Sequence, residues 1–275
     1  MSDTERPLPG AAVSRRLECA LAATRAAAMS TLRWFATADL TVSLKADRSP
    51  VTEADRAAEA VLRGALLGTF PDDAFLGEET GATAGTSGFE WVVDPIDGTK
   101  SFIRGVPLYA TLVGCRHEGR GVLGVIAIPA LDEIVYAAAG GGAWHARGSG
   151  SPVRARVSAR PSLADALVCT SAFTSFSERS DVAGGEEARR RLEAACGVAR
   201  TWGDGYGYLL VATGRAEVMI DPLMNAWDAA AVETVVREAG GRFTDWQGRD
   251  RIDSGDGLAT NGLVHESVLR LIGGS

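Results

Sequence analysis

From Val13 to Ala36 the apolar residues return every three or four positions, and Leu17, Leu21, Ala28, Leu32 and Phe35 fall on one helical face. A second helix is expected from Glu53 to Leu67, with Ala54, Ala57, Val61, Leu62 and Leu66 turned inward and Thr52 as its N-cap. Ala74 to Leu76 and Glu90 to Val93 read as short buried strands, each followed by an acidic turn. The small-residue stretch Gly81 to Gly88 between them reads as a mobile loop. From Leu108 to Trp144 short apolar runs separated by turn residues predict an antiparallel meander.

The pattern then changes. Strands are predicted at Leu167 to Thr170, Val198 to Thr201 and Glu217 to Ile220. Helices are predicted at Glu186 to Ala195, Tyr206 to Thr213 and Trp227 to Ala239, the last stopped by Gly240-Gly241. This alternation predicts an α/β layer. A Gly/Ser-rich boundary at Gly148 to Pro152 divides the chain into an α+β half, residues 12–150, and an α/β half, residues 151–275.

The 275 residues, 46% hydrophobic and 23% charged, suit a globular protein with a full core. A net charge of −7 argues against a general nucleic-acid binder, which would show a basic face. Cys19, Cys115, Cys169 and Cys196 form no C-x-x-C pair and read as free thiols of a reducing compartment. His117, His145 and His265 lack zinc-ligand spacing. Met1 to Gly10 has no apolar core of the kind a signal peptide needs, and five charged residues interrupt Val13 to Ala36. A cytoplasmic protein without membrane attachment is expected.

Four acidic motifs carry candidate chemistry. In Asp94-Pro95-Ile96-Asp97-Gly98-Thr99 a strand delivers Asp94, Pro95 is expected to end ladder bonding and force a turn, and Asp97 at i+3 can aim at the same point. Hard divalent cations need clustered oxygens of this kind. The segment after Gly98 is a candidate helix start, whose N–H groups suit phosphate. The other three are Gly77-Glu78-Glu79 after a strand, Thr52-Glu53-Ala54-Asp55 at a helix start, and Trp227-Asp228 at another. Taken singly, each also reads as a solvated turn or as an acid placed at a helix N-terminus.

Together the motifs, in this order and over Leu17 to Leu271, resemble the inositol monophosphatase superfamily of magnesium-dependent, lithium-sensitive phosphatases. The resemblance implies a layered αβαβα sandwich, usually a homodimer, with two or three Mg²⁺ per active site. It implies Glu78, Asp94 and the carbonyl of Ile96 as ligands of a first metal. Asp94 would bridge to a second, held by Asp97 and Asp228. Thr99 with Asp55 would orient and deprotonate the attacking water, with Glu78 beside them, and the N–H groups of Gly98 and Thr99 would hold phosphate oxygens.

Within the superfamily, Lys100-Ser101 after Thr99 and the run Arg200 to Glu217 look like the histidinol-phosphate phosphatases. Gly205 departs from that pattern, where a larger residue is expected; the change is expected to alter pocket shape and leave the metal chemistry alone. Asp221, seven residues before Asp228, stands where the superfamily places an acid against the substrate's organic part, and inositol phosphatases tend to have Glu there. Asp204 is a second candidate for that wall, or else a helix N-cap. The expected activity is hydrolysis of a small phosphate monoester, L-histidinol phosphate foremost, with no nucleic-acid partner. The alternatives are inositol-1-phosphate as substrate, or a non-enzymatic role beside RNA polymerase or in ribosomal-RNA processing.

Overall fold

The structure, a computed structural model, describes residues 10–37, 40–45, 49–179 and 185–273. The first nine residues, read above for a leader, lie outside these. Helix α1 (Gly10–Leu32) leads to a hairpin of β1 (Val42–Leu44) and β2 (Pro50–Thr52), then to α2 (Glu53–Thr69). Next come β3 (Ala74–Gly77), β4 (Gly81–Thr83), β5 (Phe89–Asp97) and the single-turn α3 (Thr99–Phe102). The strands β6 (Ala110–His117), β7 (Arg120–Ile128), β8 (Glu133–Ala138), β9 (Gly142–Arg147) and β10 (Val153–Arg154) follow. The rest of the chain holds β11 (Leu167–Cys169), α4 (Ser175–Glu178), α5 (Gly185–Ala195), β12 (Val198–Arg200), α6 (Gly205–Ala212) and β13 (Val218–Asp221). It closes with α7 (Ala226–Glu238), β14 (Arg242–Thr244), β15 (Gly257–Thr260) and α8 (His265–Gly273).

Two sheets organise these elements. The larger has the order β10-β9-β8-β7-β6-β5-β3-β4 and the smaller β12-β11-β13-β15-β14. Helices α1 and α2 cover the outer face of the large sheet, α6 and α7 lie between the sheets, and α5 and α8 cover the far side of the small one. The layers therefore run α, β, α, β, α, as the resemblance implies. The central core is continuous across them, from Val92 and Leu112 on the large sheet through Leu209 and Ala230 to Phe243 and Ala259.

The close fit of α7 to the large sheet follows from residue size. Gly114 on β6 and Gly124 on β7 face Ala230 and Ala231, and a Cβ at Gly124 would run into the Ala231 carbonyl. Glycine against alanine lets helix backbone touch sheet backbone, and this brings the start of α7 up to the end of β5.

Several expectations need correcting. The buried face of α1 is Val13, Ala20, Ala23 and Ala27 with Arg16, Thr24 and Thr31; Leu17 and Leu21 are half-buried and Leu32 is 42% exposed. The alanines win because α1 lies close on α2, and Arg16 is buried because Asp73 takes its guanidinium at 2.8 and 2.7 Å while Phe89 stacks on it at 3.6 Å. In α2 the fully buried residues include Ala58 and Glu59, whereas Ala57 and Val61 are half-buried, Val61 still packing against the core. Its Leu62 and Leu66 are fully buried, each contributing about 1.5–3 kcal/mol.

Part of the expected mobile loop at Gly81 to Gly88 is strand β4, and the Thr86 and Ser87 N–H groups donate to the Asp72 carbonyl. Pro95 does not end its strand: β5 runs on to Asp97 through a bulge, its pairing with β6 lapsing between Asp94 and Asp97 and then resuming. In the small sheet only β11, β12 and β13 are parallel; β14 and β15 add antiparallel strands. The four cysteines are free thiols, and no helix among the described residues is long and apolar enough to cross a membrane.

Candidate active site

The bulge in β5 aims the first acids. A regular strand would send Asp94 and Asp97 to opposite faces, because an odd spacing changes sides. The lapse in pairing turns both carboxylates to one side, and Asp94 is fixed there by the Ile96 N–H, 2.9 Å from its Oδ1. Asp94 is buried, whereas Asp97 is half-buried. Gly98 follows with φ of 87°, a left-handed turn that costs glycine little, and opens α3.

Asp55 and Asp228 reach the same place from two helix starts, and in both cases the capping role and the site role hold together. Thr52 caps α2 in a capping box, where Asp55 Oδ2 accepts the Thr52 N–H at 2.8 Å and its hydroxyl at 2.5 Å. That leaves Oδ1 to the Thr99 hydroxyl, 3.3 Å away. The same hydroxyl lies 3.2 Å from the Ile96 carbonyl, so its one proton is shared between two acceptors. At α7, Asp228 Oδ2 accepts the Asn225 N–H at 2.8 Å, and its carboxylate also meets Asp94. One oxygen each from Asp94, Asp97 and Asp228 lies within 4.8 Å of the others.

Glu78 hydrogen-bonds Asp94, and the turn that carries it is braced from below. Glu59, fully buried on α2, accepts the N–H groups of Glu79 and Thr80, each at 2.8 Å. Gly77 has no side chain to obstruct that carboxylate, which lies 2.5 Å from where a Cβ would stand. Above the turn, Lys45 after β1 places its ammonium 2.7 Å from both Glu78 and Glu79. Burial works against the Lys45 charge, but the two carboxylates outweigh it and raise its pKa. Neither Glu59 nor Lys45 was singled out in the sequence. Glu59 follows Asp55 by four residues, one helical turn, which was an available signal.

A wall of further acids stands opposite. Asp204 is the N-cap of α6 by position, yet its side chain makes no capping bond and instead leans over Gly98, where a Cβ would collide with it. The N-cap alternative for its carboxylate is thus overturned. Gly205 also differs from expectation. Its N–H donates to Asp97 at 2.5 Å, and a Cβ there would stand 2.7 Å from Ala110 and 2.8 Å from Asp97 Oδ2. The missing side chain therefore bears directly on the acidic cluster and not on pocket shape alone. Asp221 is buried, its Oδ1 held by the Ser171 N–H at 3.1 Å and its Oδ2 by the Tyr208 hydroxyl at 2.9 Å. It stands outside the Asp94–Asp97–Asp228 triplet, and Ser171 links it to Asp204 by bonding to both.

So many acids in one place perturb one another. Burial first, then the charges of Glu78, Asp97 and Asp228, push the Asp94 pKa well up. Burial and then Asp204 and Asp228 do the same to Asp97. Asp228 is raised to about 7 and Asp221 to about 6, both chiefly by burial. Asp55 is raised too, by burial, against the opposing Thr52 bonds. A cluster of oxygens, gathered at a cost in mutual repulsion, fits hard divalent cations: among the described residues it is made of three carboxylates, without histidine or cysteine. The Ile96 carbonyl keeps a second lone pair beyond the Thr99 bond.

The chain is 42% identical over 258 residues to a histidinol-phosphatase of Chlorobaculum parvum, a match covering 94% of this chain and 96% of that one. It is 34% identical over 237 residues to an inositol-1-monophosphatase of Mesorhizobium japonicum, covering 85% and 86%. The crystal structure of the extragenic suppressor protein suhB from Bartonella henselae superposes with a TM-score of 0.83 at 30% identity, covering 93% of this chain and 97% of that one. Residues 13–273 match the inositol monophosphatase family as a whole, and the chain belongs to that family.

Proposed function

We propose that this chain is a Mg²⁺-dependent phosphatase that hydrolyses L-histidinol phosphate to L-histidinol and inorganic phosphate. The observation that carries the choice of substrate is its higher identity to the histidinol-phosphatase than to the inositol enzyme, 42% against 34%. Glu78, Asp94, the Ile96 carbonyl, Asp97 and Asp228 would hold two or three Mg²⁺ ions. Bound there, the metal would neutralise the ester's negative charge and acidify water, the two things a phosphate dianion otherwise denies a nucleophile.

The chain's own groups do the rest. Thr99 orients the attacking water and passes its proton toward Asp55 Oδ1, the oxygen that the capping box leaves free. The N–H groups of Gly98 and Thr99, at the start of α3, hold phosphate oxygens. Asp221, with Asp204, faces the organic part and favours a cationic amine over neutral hydroxyls, since a charge-assisted hydrogen bond is roughly twice as strong as a neutral one. A cytoplasmic homodimer is the expected setting, checked by light scattering for the oligomer.

The test is phosphate release with purified protein and Mg²⁺. The kcat/KM for L-histidinol phosphate should exceed that for inositol-1-phosphate by about tenfold or more, the value of one charged hydrogen bond. Equal rates, or a preference for the inositol ester, would remove the histidinol assignment. A second reading, partnership with RNA polymerase, takes its support from 32% identity over 263 residues to the Nus factor SuhB of Pseudomonas aeruginosa, and a pull-down with RNA polymerase separates it from the first.

A further inference from the structure

We propose that Tyr208 is a positioning residue that sets the Asp221 carboxylate for the cationic part of the substrate, so that Tyr208 and Asp221 specify each other. The inference rests on the histidinol-phosphate reading above.

Tyr208 is 2% exposed, in the middle of α6. That hydroxyl donates to Asp221 Oδ2 at 2.9 Å and lies 3.5 Å from the Met224 sulfur, which is a weak acceptor. Gly257, the partner of Asp221 across the β13–β15 ladder, leaves the space: a Cβ there would stand 3.3 Å from the phenol oxygen and would meet the Met224 sulfur outright. Burial, then the charge on Asp221, keeps the phenol protonated, so it serves as a donor.

With the Ser171 N–H on the other oxygen, the carboxylate is pinned at both ends. The Ser171 hydroxyl bonds the carboxylate too, and three protein donors leave it one further lone-pair site for a ligand. A glutamate at 221 is one methylene longer and would drive its carboxylate into the phenol oxygen or the Ser171 amide. The tyrosine therefore fits the shorter acid, and it is the shorter acid that the chain carries at this place. A buried hydroxyl with a charged acceptor holds that acceptor in one orientation, as a mobile carboxylate would not be held.

The experiment measures KM and kcat for L-histidinol phosphate and for β-glycerophosphate, a monoester without a cationic group. Tyr208→Phe should raise KM for L-histidinol phosphate about tenfold, well beyond any change for β-glycerophosphate, while kcat falls less than about threefold. Equal effects on both esters, or none on either, would overturn the proposal. A second measurement does not depend on substrate. Asp221→Glu should lower the melting temperature, and adding Tyr208→Phe should restore most of the loss; a double variant no more stable than Asp221→Glu also overturns it. If the unaltered enzyme shows no preference for L-histidinol phosphate over inositol-1-phosphate, the substrate reading fails by itself. The rescue of stability then still decides whether Tyr208 and Asp221 are matched.

Discussion

Asp55 and Thr99, 44 residues apart in the chain, meet with the Thr99 hydroxyl 3.3 Å from Asp55 Oδ1. The two helix starts that carry them converge because α2 packs on the large sheet just where β5 ends. Thr99→Ala removes the hydroxyl and leaves every carboxylate in place. It should lower kcat by about 10²–10⁴-fold, the range for loss of general acid–base help. Mn²⁺ affinity, read by calorimetry, should stay within about threefold. Weaker Mn²⁺ binding with normal turnover would mean that Thr99 serves the cation site instead.

Asp228→Asn keeps the shape of the side chain and its bond to the Asn225 N–H, so α7 should still start correctly. It removes one negative charge from the triplet. Turnover should fall about 10²-fold or more, by analogy with the loss of a preorganised electrostatic group. The metal-free protein should melt at the same temperature or higher, because like charges are relieved. Near-normal turnover at saturating Mg²⁺ would leave Asp228 as a helix-start acid only.

The site was legible where chemistry and helix grammar coincide. Asp55 and Asp228 sit at the third position of their helices, and acidic residues at such positions stand out in any sequence. Asp94 and Asp97 were legible as a pair, but not the way they are aimed: Pro95 suggests an ended strand, and only the pairing with β6 reveals a bulge. The buried face of α1 is hidden in the sequence for a related reason. Large leucines dominate a hydrophobic pattern, yet the closest packing is made by alanines, and a buried arginine is invisible until its carboxylate partner is known. Lys45 and Tyr208 meet the acids from distant parts of the chain, so no local motif marks them, and Glu59 is marked only by its one-turn spacing from Asp55.

Glu59→Gln tests one of these. A carboxylate accepts the N–H groups of both Glu79 and Thr80, whereas an amide offers one oxygen and sets an NH₂ against the other donor. Loosening the turn should weaken Mn²⁺ binding about 10–100-fold, as for other residues that support metal ligands. Unchanged affinity in the calorimeter would show that the turn holds Glu78 without this brace.

The acidic cluster also sets how stability depends on pH. Asp221 is raised to about 6 and Asp228 to about 7 in the fold, from an ordinary 3.8. A raised carboxyl pKa means that the folded chain binds more protons than the unfolded one between the two values. Stability is then full below about pH 4 from these groups and is lost as pH rises toward about 7. The melting temperature of EDTA-treated protein should fall by about 5 °C or more between pH 5 and pH 8. Mg²⁺ should restore more of it at pH 8 than at pH 5. A melting temperature that climbs with pH in EDTA would contradict the raised values.

The contact of α7 with the large sheet makes one methyl group a wedge and the helix a lever. Asp228 lies three residues from Ala231, about one helical turn, so whatever lifts the helix at Ala231 also moves the carboxylate. A side chain at position 124 cannot be absorbed by a rotamer change, because what it meets is the backbone of Ala231. Gly124→Ala would have to lift the helix by about 1 Å to regain an ordinary contact distance. The strain would be felt less as a loose core than as a misplaced acid. Position 124 carries no reactive group, yet its missing side chain helps to decide where the Asp228 carboxylate stands.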